Sequence, residues 1–355
     1  MALHVVPHEP ALAPAVQAFN TRLAAGGIAW RFPEDPVPDW LPPQTGATTS
    51  QEYFVLTDGG EVRGGYCLRW QEVSIRGERH RAASFHLPVS EGTVNSAYSL
   101  VGTWLLRDAE RREPRLFGVG MRGARSPVAR LVRALGWPVI GVPFYFKICD
   151  GARVFRNVTY LRRGPLSAAL LDLAARSGLA SVGAWLAAAV LTRVNRSGAA
   201  VESVPTFGPW ADAVWEAAAP AYGFCADRRS AALNAVYPAE APGLDRLRVT
   251  VRGEAVGWAV IQDVTVTDHE HVGTLRLGTL VDGLAHPRYA RAVVAAAVRA
   301  LETRGVDLIA SNQSHPAWRA GLRAAGCIRG PTTFLFTCAP RLAALLDAGD
   351  PHGGG

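Results

Sequence analysis

The chain carries one pattern twice. SPVARLVRALGWPVIGVPFYF at 126–146 returns as HPAWRAGLRAAGCIRGPTTFLF at 315–336. DGGEVRGGYCL at 58–68 returns as TVRGEAVGWAVI at 250–261. Two shorter matches keep the same order: Glu91-Gly92 with Asp282-Gly283, and Val6-Pro7 with Val204-Pro205. All four lie at an offset of roughly 190–200 residues. Collinear matches at one spacing mark a duplicated unit, and about 150 residues can bury a core of their own. Two copies are too few for a solenoid, so a tandem of two domains is expected.

Composition bears on partners and compartment. Close to half of the residues are apolar, enough for two cores. Lys147 is the only lysine, and the formal charge of +7 rests on scattered arginines. With no basic arm, this argues against nucleic acid; an anionic substrate or a membrane surface fits it. Cys67, Cys149, Cys225, Cys327 and Cys338 form no C-x-x-C pair. With no apolar leader after Met1, they read as thiols of a cytoplasmic protein.

Each copy yields the same succession of elements. Copy one gives a short strand at Val5-Val6, a helix near Pro14–Ala24 and a proline-rich loop at 32–43. Strands Glu52–Leu56 and Arg63–Val73 flank the turn Asp58-Gly59-Gly60. Then follow strand His80–Leu87, helix Ala97–Ala109, strand Arg115–Val119, helix Pro127–Leu135 and a closing strand Val142–Ile148. Copy two gives helix Trp210–Ala218, a hairpin at Arg252-Gly253-Glu254 and strand Gly273–Val281. A helix from Pro287, strand Asp307–Ala310, helix Pro316–Ala325 and strand Thr333–Cys338 complete it. The expected domains are 1–161 and 200–345, with a helical linker at 162–199 and a disordered tail at 346–355. The uncharged run 177–192 reads as a linker helix, with weak contact to a membrane surface as the alternative.

This order, with the DGGEVRGGYCL hairpin and the VARLVRALGW ending of copy one, resembles the GNAT superfamily of N-acetyltransferases. RGEAVGWAVI and WRAGLRAAGC carry the resemblance in copy two, and the tandem is distantly similar to Fem-type aminoacyltransferases. The resemblance implies an α/β protein of two GNAT-like (acyl-CoA N-acyltransferase) domains. It implies acetyl-CoA or another acyl-CoA as co-substrate, and transfer of the acyl group to an amine or hydroxyl. The acceptor would be a small molecule, a sugar or an envelope precursor. In such a site, amides after the fourth strand and the next helix N-terminus hold the pyrophosphate. Neither LPVSEGTVNSAYSL nor LVDGLAHPRYARAV has the two spaced glycines of that turn. The family's late-helix tyrosine falls on Val132 and Leu322. A non-catalytic tandem that binds a ligand or partner is therefore the competing expectation.

Candidate residues follow from place and type. Asp282 and Glu91 are the expected general bases, set where the fourth strand leaves the fifth; a turn acid capping the next helix is the plainer reading. Gly92, Thr93, Val94 and Asn95 are the expected donor-binding amides. Asn312, Gln313 and His315, at a strand's carboxyl end, are expected to line an acceptor cleft with Asp282. In copy one Arg122 occupies the matching stretch and is expected to hold an anion. GVGMRG at 118–123 lacks the later acid of a dinucleotide site. Asp268-His269-Glu270-His271 reads as an exposed hairpin, so no metal is expected. Tyr145 reads as core.

Overall fold

The computed structural model describes residues 3–38, 41–44, 46–121, 123–157, 198–269, 273–332 and 334–346. The expected linker helix up to residue 197, the tail from 347, Arg122 and the tip of the Asp268–His271 hairpin lie outside the described residues.

The strands form two sheets. The first contains β1 (Leu3–Pro7), β2 (Thr49–Asp58), β3 (Glu61–Ile75), β4 (Glu78–Ser90), β5 (Leu116–Gly120), β6 (Val139–Val142) and β15 (Phe334–Cys338). Their order is β1-β2-β3-β4-β5-β15-β6, with β9 (Phe224–Ala226) added beside β3. The second contains β7 (Phe144–Ile148), β8 (Ala199–Val204), β10 (Leu244–Val251), β11 (Glu254–His269), β12 (Gly273–Ala285), β13 (Leu308–Asn312) and β14 (Ile328–Arg329). Its order is β14-β7-β13-β12-β11-β10-β8. In each sheet four antiparallel strands lead to one parallel pair, β4 with β5 and β12 with β13. Helices α1 (Ala13–Ala25), α2 (Val101–Arg112), α3 (Pro127–Ala134) and α4 (Gly151–Asn157) belong to the first half of the chain. In the second half, α5 (Pro209–Ala218), α6 (Ser230–Val236), α7 (Ala290–Thr303), α8 (Pro316–Ala324) and α9 (Pro340–Leu346) follow. The strand β9 and the helices α6 and α9 carried no clear periodic signal in sequence.

The repeat is most exact at its hairpins. Gly59 and Gly60 turn with φ of 59° and 87°, and Arg252 and Gly253 with 53° and 85°. Two successive left-handed residues make the tight turn whose twist suits antiparallel strands. A register shift follows at the same rung in both sheets, after Leu56↔Gly64 and Val249↔Gly257. The two glycines are needed for packing. A Cβ on Gly64 would lie 2.7 Å from Val101 Cγ1, and one on Gly257 2.6 Å from Val293 Cγ2. Helix α2 therefore seats on β3, and α7 on β11, through a gap left by a missing side chain.

The first sheet is packed on both faces. Tyr66, Leu68, Phe85 and Leu116 bury against Leu105, Leu106 and Val132 on one side. Val55, Val62 and Cys67 bury against Val16, Phe19 and Leu23 of α1 on the other. In the second sheet Trp258 is fully buried, its ring 5.1 Å from Phe207.

The closing strands depart from expectation. The sequence assigns Val142–Ile148 to copy one and Thr333–Cys338 to copy two. Instead β7 pairs with β13 of the second sheet, and β15 pairs with β5 and β6 of the first. The compact units follow this exchange. Among the described residues, one holds those up to Val142, Phe224–Asp227 and those from Thr332; the other holds the rest. The physical reason is local ambiguity. Phe-Tyr-Phe and Phe-Leu-Phe alternate faces in the same way, so either strand satisfies either sheet.

Candidate active site

Both sheets open at the same rung. In the first, β4 and β5 pair at Ala83↔Leu116 and Ser84↔Phe117. In the second, β12 and β13 pair from Leu277↔Leu308 to Thr279↔Ala310. Just past each pairing the inner strand bulges. In β4 the register runs from Cys67↔His86 to Gly65↔Val89, so that two residues, Leu87 and Pro88, stand against the single Tyr66, with Leu87 at φ 47°. In β12 it runs from Ile261↔Leu280 to Val260↔Asp282, leaving out Val281. Bulges of this kind re-aim side chains and recur beside functional sites.

The ladders also correct the sequence match of Glu91 with Asp282. Gly64 and Gly257 are equivalent, and their partners are Ser90 and Ala285. Glu91 is therefore equivalent to His286. Three residues beyond those glycines stand Cys67 and Val260, whose partners are His86 and Asp282. Asp282 thus shares its place with His86, not with Glu91.

In the first unit Glu91 is 2% exposed. Its carboxylate accepts from Arg22 at 3.0 and 3.1 Å and from Arg63 at 3.0 and 3.1 Å. Both oxygens are held by guanidinium groups. Of the amides at 92–95, that of Gly92 donates to Ser90 Oγ at 3.1 Å. Those of Val94 and Asn95 donate to Glu91 O at 3.0 and 2.8 Å. A Cβ on Gly92 would lie 2.4 Å from Tyr98 O, so this glycine serves the tight packing of its own turn. His86 stands two residues past the last pair of β4 with β5. Its Nε2 lies 2.6 Å from Ser84 Oγ. Burial, and then the Arg69 guanidinium, push its pKa down to about 4. The imidazole is neutral at physiological pH.

In the second unit Asp282 sits on β12 with a side chain 15% exposed. Its Oδ2 accepts from Arg228 Nε at 2.9 Å and from the Tyr237 hydroxyl at 2.9 Å. Its Oδ1 accepts from the Gly283 amide at 2.8 Å. Tyr237 follows α6 and is held from behind. The buried Arg246 donates to Tyr237 O at 3.0 and 3.1 Å and also bonds Pro238 O. Sequence reasoning missed Arg228, Tyr237 and Arg246, which stand far from Asp282 in the chain. Nothing local marked Arg246 either, since β10 reads LDRLRVTV and carries Asp245 and Arg248 beside it.

The expected lining residues have distinct places. Asn312 is exposed at the end of β13. Gln313 donates through Nε2 to Ser311 Oγ at 3.3 Å, and Ser311 Oγ donates to Leu280 O at 3.4 Å across the parting strands. His315 caps α8, its Nδ1 accepting from the Ala317 amide at 3.2 Å, and burial lowers its pKa. Asp282 bonds to none of these three. The link is indirect. The His315 ring lies 4.9 Å from that of Tyr222. The Tyr222 hydroxyl donates to Ala285 O at 2.6 Å and accepts from Trp318 Nε1 at 2.8 Å. Trp318 in turn lies where a Cβ on Gly283 would meet it at 2.8 Å.

Helix α7 begins immediately beyond this strand end. His286, Arg288 and Arg291 stand at its start. Arg288 lies 4.7 Å over the Tyr289 ring and has no ion pair among the described residues. The equivalent approach to α2 in the first unit, Gly92–Leu100, carries no cation.

Two such sheets, each with a bulged strand parting from a parallel neighbour beside a helix start, define a tandem GNAT-like α/β fold. Solved structures agree. The chain is similar to Saccharomyces cerevisiae N-myristoyltransferase with bound myristoyl-CoA, with a TM-score of 0.54 and 9% identity over 96% of this chain and 79% of that one. It is similar to a GCN5-related N-acetyltransferase from Anabaena variabilis, with a TM-score of 0.50 and 10% identity over 94% and 72%. A probable N-acyltransferase from Enterococcus faecalis matches with a TM-score of 0.50 and 9% identity over 98% and 74%. No protein-family model matches the chain. No curated protein matches it either.

Proposed function

We propose that the protein is an acyltransferase that takes its acyl group, acetyl in the simplest case, from an acyl-coenzyme A, and that the second unit is the active one. The observation that carries this reading is the opening between β12 and β13 beside α7. Arg288, which has no ion pair among the described residues, stands there with His286 and Arg291 at a positive helix end suited to a pyrophosphate. The matching approach to α2 in the first unit, Gly92–Leu100, has no cation of its own, and the Arg63 guanidinium over Tyr98 is bound to Glu91. The first unit serves as the structural partner. This reading moves the donor from Gly92–Asn95 to the start of α7.

The acceptor is a small-molecule amine or hydroxyl. Its nucleophile attacks the thioester carbonyl, a C–N or C–O bond forms, and the C–S bond breaks to release coenzyme A. The proton passes to Asp282, directly or through the Tyr237 hydroxyl that the carboxylate holds. Arg228 fixes the carboxylate, and Arg246 fixes Tyr237. A reducing cytoplasmic setting is part of this reading, and all five cysteines are free.

Calorimetry with acetyl-CoA and longer acyl-CoAs tests it. Binding should saturate, and Arg288→Ala should weaken it by about tenfold. No binding of coenzyme A at millimolar concentration would overturn the enzymatic reading in favour of a non-catalytic ligand-binding tandem.

A further inference from the structure

A second polar constellation lies away from Asp282. Tyr145 on β7 is 1% exposed. Its hydroxyl accepts from Arg319 Nε at 3.4 Å and from Arg323 Nη1 at 3.2 Å, both on α8. Arg329 on β14 stands directly opposite Tyr145 in the ladder, so the two side chains share one face. None of these three arginines has an ion pair among the described residues. The phenol's own proton has no acceptor there either.

This arrangement is unfavourable by itself. Arg319 and Arg323 are like charges one helical turn apart, which repel. A buried hydroxyl proton without an acceptor is costly. Burial raises the phenol's pKa, but Arg319 and then Arg323 outweigh it and hold the group below its ordinary value. One change relieves both costs: an anion accepting from the guanidiniums and from the phenol.

We propose that Arg319, Arg323, Arg329 and Tyr145 form a binding site for a phosphate group. A phosphate offers several strong acceptor oxygens and between one and two negative charges at neutral pH, which suits three guanidiniums and one hydroxyl. The singly charged carboxylate matches the set less well. The site does not rest on acyl transfer, since phosphate can bind whether or not the second unit is an enzyme.

The test is calorimetry of the full chain with inorganic phosphate in a chloride buffer. Saturable binding is expected. Arg323→Gln, an exposed change, should weaken it by about tenfold. Arg319→Gln should do the same, and Tyr145→Phe should weaken it several-fold by removing the donor. Should Arg319→Gln fail to fold, Arg323→Gln decides. Absence of saturable binding, or unchanged binding to a folded Arg323→Gln protein, would overturn the proposal. Competition arms separate the sources of the phosphate. Displacement by coenzyme A but not by dephospho-coenzyme A would support the site as one for the donor's phosphomonoester. Undiminished phosphate binding in the presence of coenzyme A would support it as one for an independent phosphorylated ligand.

Discussion

His86 and Asp282 occupy the same rung of their respective sheets, each opposite the residue three places beyond the glycine that seats the following helix. One rung thus carries a neutral imidazole in one unit and an ion-paired carboxylate in the other. Duplication kept the bulge that aims this position and changed the chemistry placed on it.

Asp282→Asn keeps shape and removes charge. If the carboxylate takes the acceptor's proton, kcat should fall by a factor on the order of 100. Tyr237→Phe should cost less, because the carboxylate remains. Steady-state kinetics with an acyl-CoA, alongside thermal melting, separates the roles. A variant that melts early but turns over normally while folded would make Asp282 a structural anchor for Arg228 and Tyr237.

Glu91 should behave in the opposite way. Replacement by Gln leaves Arg22 and Arg63 facing a neutral amide in a buried setting. The expected loss is about 3 kcal/mol, at the lower end for a broken buried pair because Arg22 is 31% exposed. Urea unfolding of the variant measures this. Catalysis by the folded fraction should stay at the wild-type level.

His86 makes stability depend on mild acid. Its pKa falls from 6.5 to about 4 on folding. Between these values the unfolded chain binds more protons than the folded one, so stability rises with pH there and is fully present above 6.5. Lowering the pH from 6.5 to about 4 should cost about 3 kcal/mol. His86→Gln should flatten this slope in denaturant titrations run across that range. His315, also lowered by burial, adds in the same direction.

Gly64→Ala and Gly257→Ala should each destabilise by about 1–3 kcal/mol, since the added carbon meets a valine of the packed helix and a backbone oxygen. Thermal melts of the two single variants check this. A neutral Gly257→Ala would mean that α7 shifts freely on β11.

What the sequence disclosed depended on the range of each interaction. The hairpins at Gly59-Gly60 and Arg252-Gly253 were readable because left-handed turns demand particular residues locally. The tandem order was readable because it recurs. The place of Asp282 was readable, but its counterpart His86 was not, because a bulge consumes residues without leaving a distinctive composition. Arg228 and Tyr237 lie 54 and 45 residues before Asp282 in the chain, and only the folded sheet brings them to it. His86 stood in view as the one ring nitrogen donor in AASFHLPV, yet nothing local marks Ser84 as its partner.

The crossed destinations of β7 and β15 constrain how this protein is made. The first sheet needs residues 334–338 between β5 and β6, so it stays incomplete on the ribosome until nearly the whole of this sequence has emerged. The second sheet, by contrast, finds its β7 already synthesised and waiting. Expressing the two halves of the sequence as separate polypeptides would therefore yield fragments that each hold a strand the other lacks. A gene split between them would be tolerated only where the two products meet and trade.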